Sequence, residues 1–146
     1  MKAVIMAGGR GSRLDPITRS VNKHLLPVYD KPMIFYSLSI ALTAEVDKIL
    51  IIINDQVDQS KFADLLGSGD RYGVSIEYLV QTQPRGIADG LRIARDYIKD
   101  DSVLLILGDN LLFGHGLKKN LLQAKNNAKK SLATIFGFPV SNPKDY

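Results

Sequence analysis

The sequence predicts an α/β fold, a doubly wound and mostly parallel sheet flanked by helices, on three observations. Short apolar runs rich in β-branched residues alternate with helix-length segments along the 146 residues. Two of those runs, residues 49–53 (ILIII) and 103–107 (VLLIL), are apolar at every position, the pattern of strands buried on both faces. Between runs, Ile87, Leu91, Ala94 and Ile98 recur at the spacing of one helical stripe.

Taken in order, Lys2–Met6 (KAVIM) is the first strand, and a glycine-rich loop over residues 7–14 ends it. A helix is expected over residues 32–43, with Pro32 at the first helical position, where its missing N–H costs nothing. Lys48–Ile53 is the second strand. A short helix over residues 60–66 stops at Gly67. Ser75–Val80 is the third strand, and residues 87–98 form the next helix. Val103–Leu107 is the fourth strand. Residues 117–128 form a helix with Leu117, Leu121, Ala124 and Ala128 on one side and Lys and Asn opposite. A fifth strand is expected over residues 132–138. The turn-rich tail SNPKDY (141–146) follows it directly with no covering helix, which reads as a cut more than a natural finish.

Composition narrows the function. Apolar residues make up 45% and charged residues 23%, as in ordinary globular domains. No run approaches the ~18 apolar residues of a membrane span, and the N-terminus lacks the long apolar region of a signal peptide. There is no Cys, hence no disulfide framework, thiol nucleophile or thiolate metal site. The cytoplasm is the expected compartment. The net charge of +4 is concentrated: residues 1–31 carry six basic and two acidic side chains, and the remainder carries 13 of each. A basic excess confined to one glycine-rich region points to a small anionic ligand more than to nucleic acid, the alternative being an ordinary basic surface.

Four segments could carry chemistry. The loop Ala7-Gly8-Gly9-Arg10-Gly11-Ser12-Arg13-Leu14 can turn tightly and present N–H groups to an anion, or be a plain strand-to-helix turn, and the Arg13 guanidinium, which can fork onto phosphate oxygens, favours the first. It is no P-loop, since no Gly-Lys-Ser/Thr follows, and Leu14 at the third glycine position disfavours the dinucleotide fingerprint of an oxidoreductase. Lys23, in Asn22-Lys23-His24-Leu25-Leu26-Pro27, is either a snorkelling surface residue or a point charge on a phosphate, and His24 reads as structural. Gln81 follows the third strand. Its amide offers donor and acceptor side by side, matching a pyrimidine edge, and Gly86 opens the next helix with room for close approach; the alternative is a simple polar loop. Asp109 follows the fourth strand, placed to hold Mg²⁺ that grips phosphate oxygens, or merely to cap the next segment. Three of the four segments follow predicted strands, on the edge of an open α/β sheet where ligands bind. Together they describe a nucleoside triphosphate site.

The residues 7–14, followed by Lys23-His24-Leu25-Leu26-Pro27-Val28-Tyr29-Asp30-Lys31-Pro32-Met33-Ile34, closely resemble the sugar-phosphate nucleotidyltransferases, within them most of all the glucose-1-phosphate thymidylyltransferases. Leu107–Asn110 with Gly114, and the residues 142–146 (NPKDY), resemble that family too. The resemblance implies a Rossmann-like fold of the nucleotide-diphospho-sugar transferase type. It implies that residues 1–146 are the nucleotide-binding N-terminal part of the domain, with the sugar-binding part, a second metal-binding Asp and a Lys on the sugar phosphate further on. By resemblance, Ala7, Gly8, Gly9, Gly11 and Ser12 cradle the nucleotide, and Arg13 contacts the β- and γ-phosphates. Lys23 stabilises charge at the reacting α-phosphate, Gln81 and Gly86 read thymine, and Asp109 ligates Mg²⁺. The implied substrates are dTTP and a sugar 1-phosphate, by resemblance glucose 1-phosphate, with dTDP-glucose and pyrophosphate as products. The chain alone is expected to be inactive, and the apolar surface it exposes favours a homo-oligomer. Two positions beside the base loop depart from the resemblance: Asp89 stands where Gln is favoured, and Arg85 where an acidic residue is frequent. Both bear on base choice, so a relative using UTP or CTP stays open. A nucleotide-binding module without turnover also stays open.

Overall fold

The computed structural model describes residues 1–9, 11–83, 85–137 and 139–142. In chain order the elements are β1 (Lys2–Met6), a two-residue ribbon of β2 (Pro27–Val28) and β3 (Lys31–Pro32), α1 (Ile34–Thr43), β4 (Lys48–Ile53), α2 (Gln56–Leu66), β5 (Ser75–Val80), α3 (Ile87–Ile93), α4 (Arg95–Ile98), β6 (Val103–Leu107) and α5 (Leu117–Lys129). Four of the five expected strands form with the expected bounds. They pair in parallel in the order β5-β4-β1-β6. The order reverses at β1, so the crevice outside the C-terminal ends of β1 and β6 is a topological switch point.

The strand pleat divides the core. Ala3, Ile5, Ile49, Ile51, Ile53 and Ile106 face α1, α2 and α5 through Leu38, Ala41, Phe62, Leu66 and Leu121. Val4, Leu50 and Ile52 face the other side and pack with Ala94, Ile93, Tyr97 and Ile98 of α3 and α4 and the turn between them. Helices on both faces make the sheet doubly wound. The run 49–53 is buried throughout, as its composition requires.

The run 103–107 is not buried on both faces. β6 is the last strand of the sheet among the described residues, and Leu105 is 37% exposed. The strand expected over residues 132–138 does not form over the described part, 132–137, and Phe138 lies outside the described residues. A strand exists only through its ladder, and residues 132–137 pair with no described strand. Instead, Leu132, Ala133, Ile135 and Phe136 line an apolar groove of about 420 Å³ with β6 and α5.

Three helix boundaries also differ. The first helix starts at Ile34, because Pro32 pairs with Pro27 in the ribbon and Met33 N–H bonds the Leu26 carbonyl at 3.0 Å. The second starts at Gln56, four residues earlier than expected, because Asp55 caps it by accepting from Asp58 N–H at 2.8 Å. The helix expected over 87–98 breaks at Ala94, so the expected stripe is interrupted, and Ile87 is 44% exposed. Gly90 packs its backbone directly against the Met6 side chain, drawing α3 onto the end of β1.

Ile51→Ala, in the fully buried strand, should cost about 2–5 kcal/mol in chemical denaturation. Leu105→Ser should cost under about 1 kcal/mol, because its side chain already meets solvent. Equal costs would refute the open edge of β6.

Candidate functional site

The ladder continues one residue past β1, β5 and β6 and so fixes the loops that follow them. Ala7 N–H bonds the Ile52 carbonyl at 2.8 Å, Gln81 N–H the Ile53 carbonyl at 2.7 Å, and Gly108 N–H the Met6 carbonyl at 2.9 Å. The three sequence-predicted loops therefore stand along one sheet edge, spanning three strand spacings, roughly 14 Å at ~4.8 Å per strand.

Within the first loop, Ala7 is buried, Gly8 half-buried, and Gly9 and Arg13 exposed. Gly11 has φ +62°, and a Cβ there would lie 2.8 Å from Thr18 Cγ2, so only glycine suits the turn. Thr18 Oγ1 donates to the Gly11 carbonyl at 2.9 Å and ties the loop to the segment behind it. Gly9 and Ser12 open onto a polar cleft of about 610 Å³ shared with Asn54, Asp55, Asp58 and Lys61.

Lys23 and Asp109, 86 residues apart, meet at 2.6 Å. The Lys23 ammonium also lies beside Gly9, within 3.9 Å of where a Cβ would stand. Lys23 is thus no snorkelling surface residue: its side chain is 19% exposed and points into the switch point. Burial pushes the Asp109 carboxyl up, but the Lys23 hydrogen bond and charge outweigh it, and the group sits below the ordinary carboxylate range. Ser37 of α1 donates to the Gly108 carbonyl at 3.0 Å and steadies the Asp109 turn.

Sequence reasoning gave no role to the residues that hold Lys23 in place. Asn22 is 8% exposed. Its Nδ2 donates to the Ala7 carbonyl at 3.2 Å and to Asp58 Oδ2 at 2.6 Å. Both partners can only accept, so Oδ1 must face the other way, where it accepts from His24 N–H at 2.9 Å and lies 2.9 Å from His24 Nδ1. Nδ1 therefore carries the ring proton. His24 is 2% exposed and packed beside Gly108, where an added Cβ would clash with its ring. Burial, then the Lys23 charge, push its pKa down to about 4. Asp58 carried no sequence signal, since it sits in a polar helical turn like any surface residue.

Gln81 and Gly86 form a second group. Gln81 is 6% exposed, and its Nε2 donates to Asp89 Oδ2 at 2.7 Å and to the Gly86 carbonyl at 3.5 Å. Gly86 caps α3 as expected. A small hollow holds Gln81, Asp89 and Arg92. No hydrogen bond among the described residues joins this group to the Lys23–Asp109 pair.

Asp109 suits a hard cation such as Mg²⁺ in the single-carboxylate manner. It is an oxygen donor, 44% exposed, at the mouth of the crevice, and Mg²⁺ takes one or two carboxylates plus substrate phosphates. Among the described residues no group of three or more His, Asp or Glu could hold a metal without a ligand's help. Among them, too, no helix is long and apolar enough to cross a membrane.

A family model described as Nucleotidyl transferase matches residues 2–146. A glucose-1-phosphate thymidylyltransferase of Xanthomonas campestris is 48% identical over 145 residues, covering 99% of this chain and 48% of the relative. That of Neisseria meningitidis is 46% identical, covering all of this chain and 50% of the relative. This chain thus spans about half the length of the curated relatives it matches. A Bacillus anthracis structure described as a glucose-1-phosphate thymidylyltransferase, in complex with sucrose, superposes with a TM-score of 0.79 at 38% identity, over 87% of this chain and 51% of that one. A UDP-glucose pyrophosphorylase of Acinetobacter baumannii shares the fold, with a TM-score of 0.71 at 24% identity over 89% of this chain and 53% of that one.

Two stability effects follow. Because the folded pKa of His24 lies below its ordinary 6.5, the unfolded chain takes the proton first. Stability is full above about pH 6.5, falls by about 3 kcal/mol as pH drops to about 4, and loses nothing more from this group below that. Denaturation curves from pH 8 to 4 should show this, and His24→Gln should flatten them. Asp58→Ala should cost about 1–3 kcal/mol in the same assay, since it leaves an Asn22 donor buried and short of a partner.

Proposed function

The chain belongs to the nucleotidyl transferase family, and from that membership we propose that it is the nucleotide-binding part of a glucose-1-phosphate thymidylyltransferase. The observation that carries this reading is the meeting of Lys23 and Asp109 beside Gly9, at the switch point of the sheet. A cation, a carboxylate and open backbone there suit a polyphosphate.

In the proposed reaction an oxygen of the glucose 1-phosphate attacks the α-phosphorus of dTTP. The new O–P bond forms as the bond to the β-phosphate breaks, and pyrophosphate leaves with the displaced electron pair. No covalent enzyme intermediate is needed, so the chain's contribution is positioning and charge. The backbone of Ala7, Gly8, Gly9, Gly11 and Ser12 follows the triphosphate. Arg13, exposed at the loop's end, reaches the β- and γ-phosphates. Lys23 stands next to the loop, held by Asn22 and His24, and offsets charge that grows on the α-phosphate oxygens. Gln81 and Gly86 meet the base two strands away. Asp109 would hold Mg²⁺, which when bound supplies further neutralisation of phosphate charge. The sugar side is assigned to the part of the relatives that this chain does not span. The cytoplasm, where nucleoside triphosphates and sugar phosphates are both at hand, is the compartment this reading assigns.

A calorimetric titration with dTTP in excess Mg²⁺ tests the reading, and saturable binding is the expected result. Lys23→Ala should weaken it by about 10–100-fold, the worth of a charge-assisted phosphate contact. Asp109→Asn should remove most of the difference between titrations with and without Mg²⁺. A chain that folds yet binds no dTTP sinks the reading.

A further inference from the structure

Gln81 is a buried amide whose two ends are chemically opposite, and its neighbours leave it no choice of orientation. Asp89 is 13% exposed and divides its carboxylate: Oδ1 accepts from Arg92 Nε and Nη2 at 2.9 and 2.8 Å, and Oδ2 accepts from Gln81 Nε2 at 2.7 Å. The second neighbour of Nε2, the Gly86 carbonyl, is an acceptor too. Turned over, the amide would set Oε1 against a carboxylate oxygen at hydrogen-bond distance, two acceptors with no proton between them. The Gln81 hydrogen bond, with that of Arg92 behind it, holds the Asp89 carboxyl below its ordinary range, so it stays an acceptor at neutral pH. The backbone is fixed as well, since Gln81 N–H is bonded into the end of the sheet. Oε1 accepts from no described residue, and no described side-chain polar atom is sealed away without a partner. It is the open face of the amide.

We propose that Asp89 is a specificity-determining positioning residue: by taking the Gln81 amide N–H it presents Oε1 to the nucleobase, so the site selects a pyrimidine carrying an imide N–H, thymine or uracil, over cytosine. The inference rests on the nucleotide reading above and adds to it the means of base choice. Thymine and uracil carry a proton on N3 and can donate to Oε1. Neutral cytosine has a lone pair at N3, which would face Oε1 acceptor to acceptor. A methyl group adds little by comparison, so the device separates thymine and uracil from cytosine and hardly separates them from each other. Asp89 touches no base in this scheme and acts only through Gln81.

The test is competitive calorimetry of the chain with dTTP, dUTP and dCTP in Mg²⁺, with the side-chain amide resonances of Gln81 followed in the free protein. The wild-type chain should prefer dTTP and dUTP to dCTP by at least about tenfold. Asp89→Ala should let the amide turn and bring the three within about threefold, with dCTP gaining as dTTP loses. Arg92→Ala should leave the preference in place, because Oδ2 still holds the amide. Without nucleotide, Asp89→Ala should shift the Gln81 amide protons upfield and speed their exchange. If that alanine variant fails to fold, Asp89→Ser serves as the second truncation. An unchanged dTTP-to-dCTP ratio in a folded Asp89 variant, or unmoved Gln81 resonances, overturns this inference alone. A chain that binds none of the three nucleotides overturns the nucleotide reading and this inference with it.

Discussion

Asn22 has one amide group and uses it to join two segments distant in sequence, the end of β1 through the Ala7 carbonyl and α2 through Asp58, to its own turn through His24. Each bond is worth only about 1 kcal/mol net, but leaving any of these buried groups unpaired would cost about 1–3 kcal/mol. The arrangement is therefore held more by what its loss would cost than by what each contact contributes. Lys23 inherits its position from this junction. A lysine has four rotatable bonds and no preference for one place, yet here its backbone is fixed on one side by Asn22 and His24 and its ammonium on the other by Asp109. The chemistry at the switch point thus depends on a residue that does not itself face it.

The sheet sets the second constraint. β1 is bonded on both sides, so its end is restrained, and the loop that follows has to turn within a few residues. The extra ladder bonds at Ala7, Gln81 and Gly108 carry that restraint into the loops. The same order leaves β6 at the margin of the sheet. An apolar strand there exposes Leu105 and borders the groove lined by Leu132 and Phe136, so the burial promised by its composition is met on one side only.

What could be read from the sequence follows from how local each signal is. A run such as ILIII declares itself, because five apolar β-branched or Leu residues suit little but a buried strand, and all four described strands of the main sheet begin and end where composition places them. Their order in the sheet is a long-range property and left no mark. Residues 132–138 carry the same local signal as the true strands, but a strand also needs a neighbour to bond, and composition does not report one. Pro32 suits a helix start and an edge ribbon equally, and the hairpin bond from Met33 decided between them. Lys23, Gln81 and Asp109 were legible as candidates because each stands beside a strand end or within a specific motif. Their partners were less so: Asp58 looks like any exposed helix-turn carboxylate, and Asp89 stands out only as a departure from the resemblance, with no partner named until the fold sets it against an amide.

Those two carboxylates do the same work on opposite faces of the sheet. Asp58 belongs to α2, which packs through Phe62 and Leu66 on one side, and Asp89 belongs to α3, whose Ile93 packs on the other. Each accepts from the N–H end of a buried amide and so turns the oxygen end away from itself, toward buried His24 in one case and toward the open edge in the other. An amide alone is indifferent to which end faces which way, so a site built from amides needs a group that breaks the tie. An ionised carboxylate can, because it never donates. Placing one on each flanking helix converts the packing of the helices, which hydrophobic burial fixes to within an ångström or so, into the hydrogen-bonding polarity of the sheet edge. The core and the site are therefore not separate achievements of this fold: the apolar contacts that seat α2 and α3 also decide which way the Asn22 amide points beneath Lys23 and which end of Gln81 stands open.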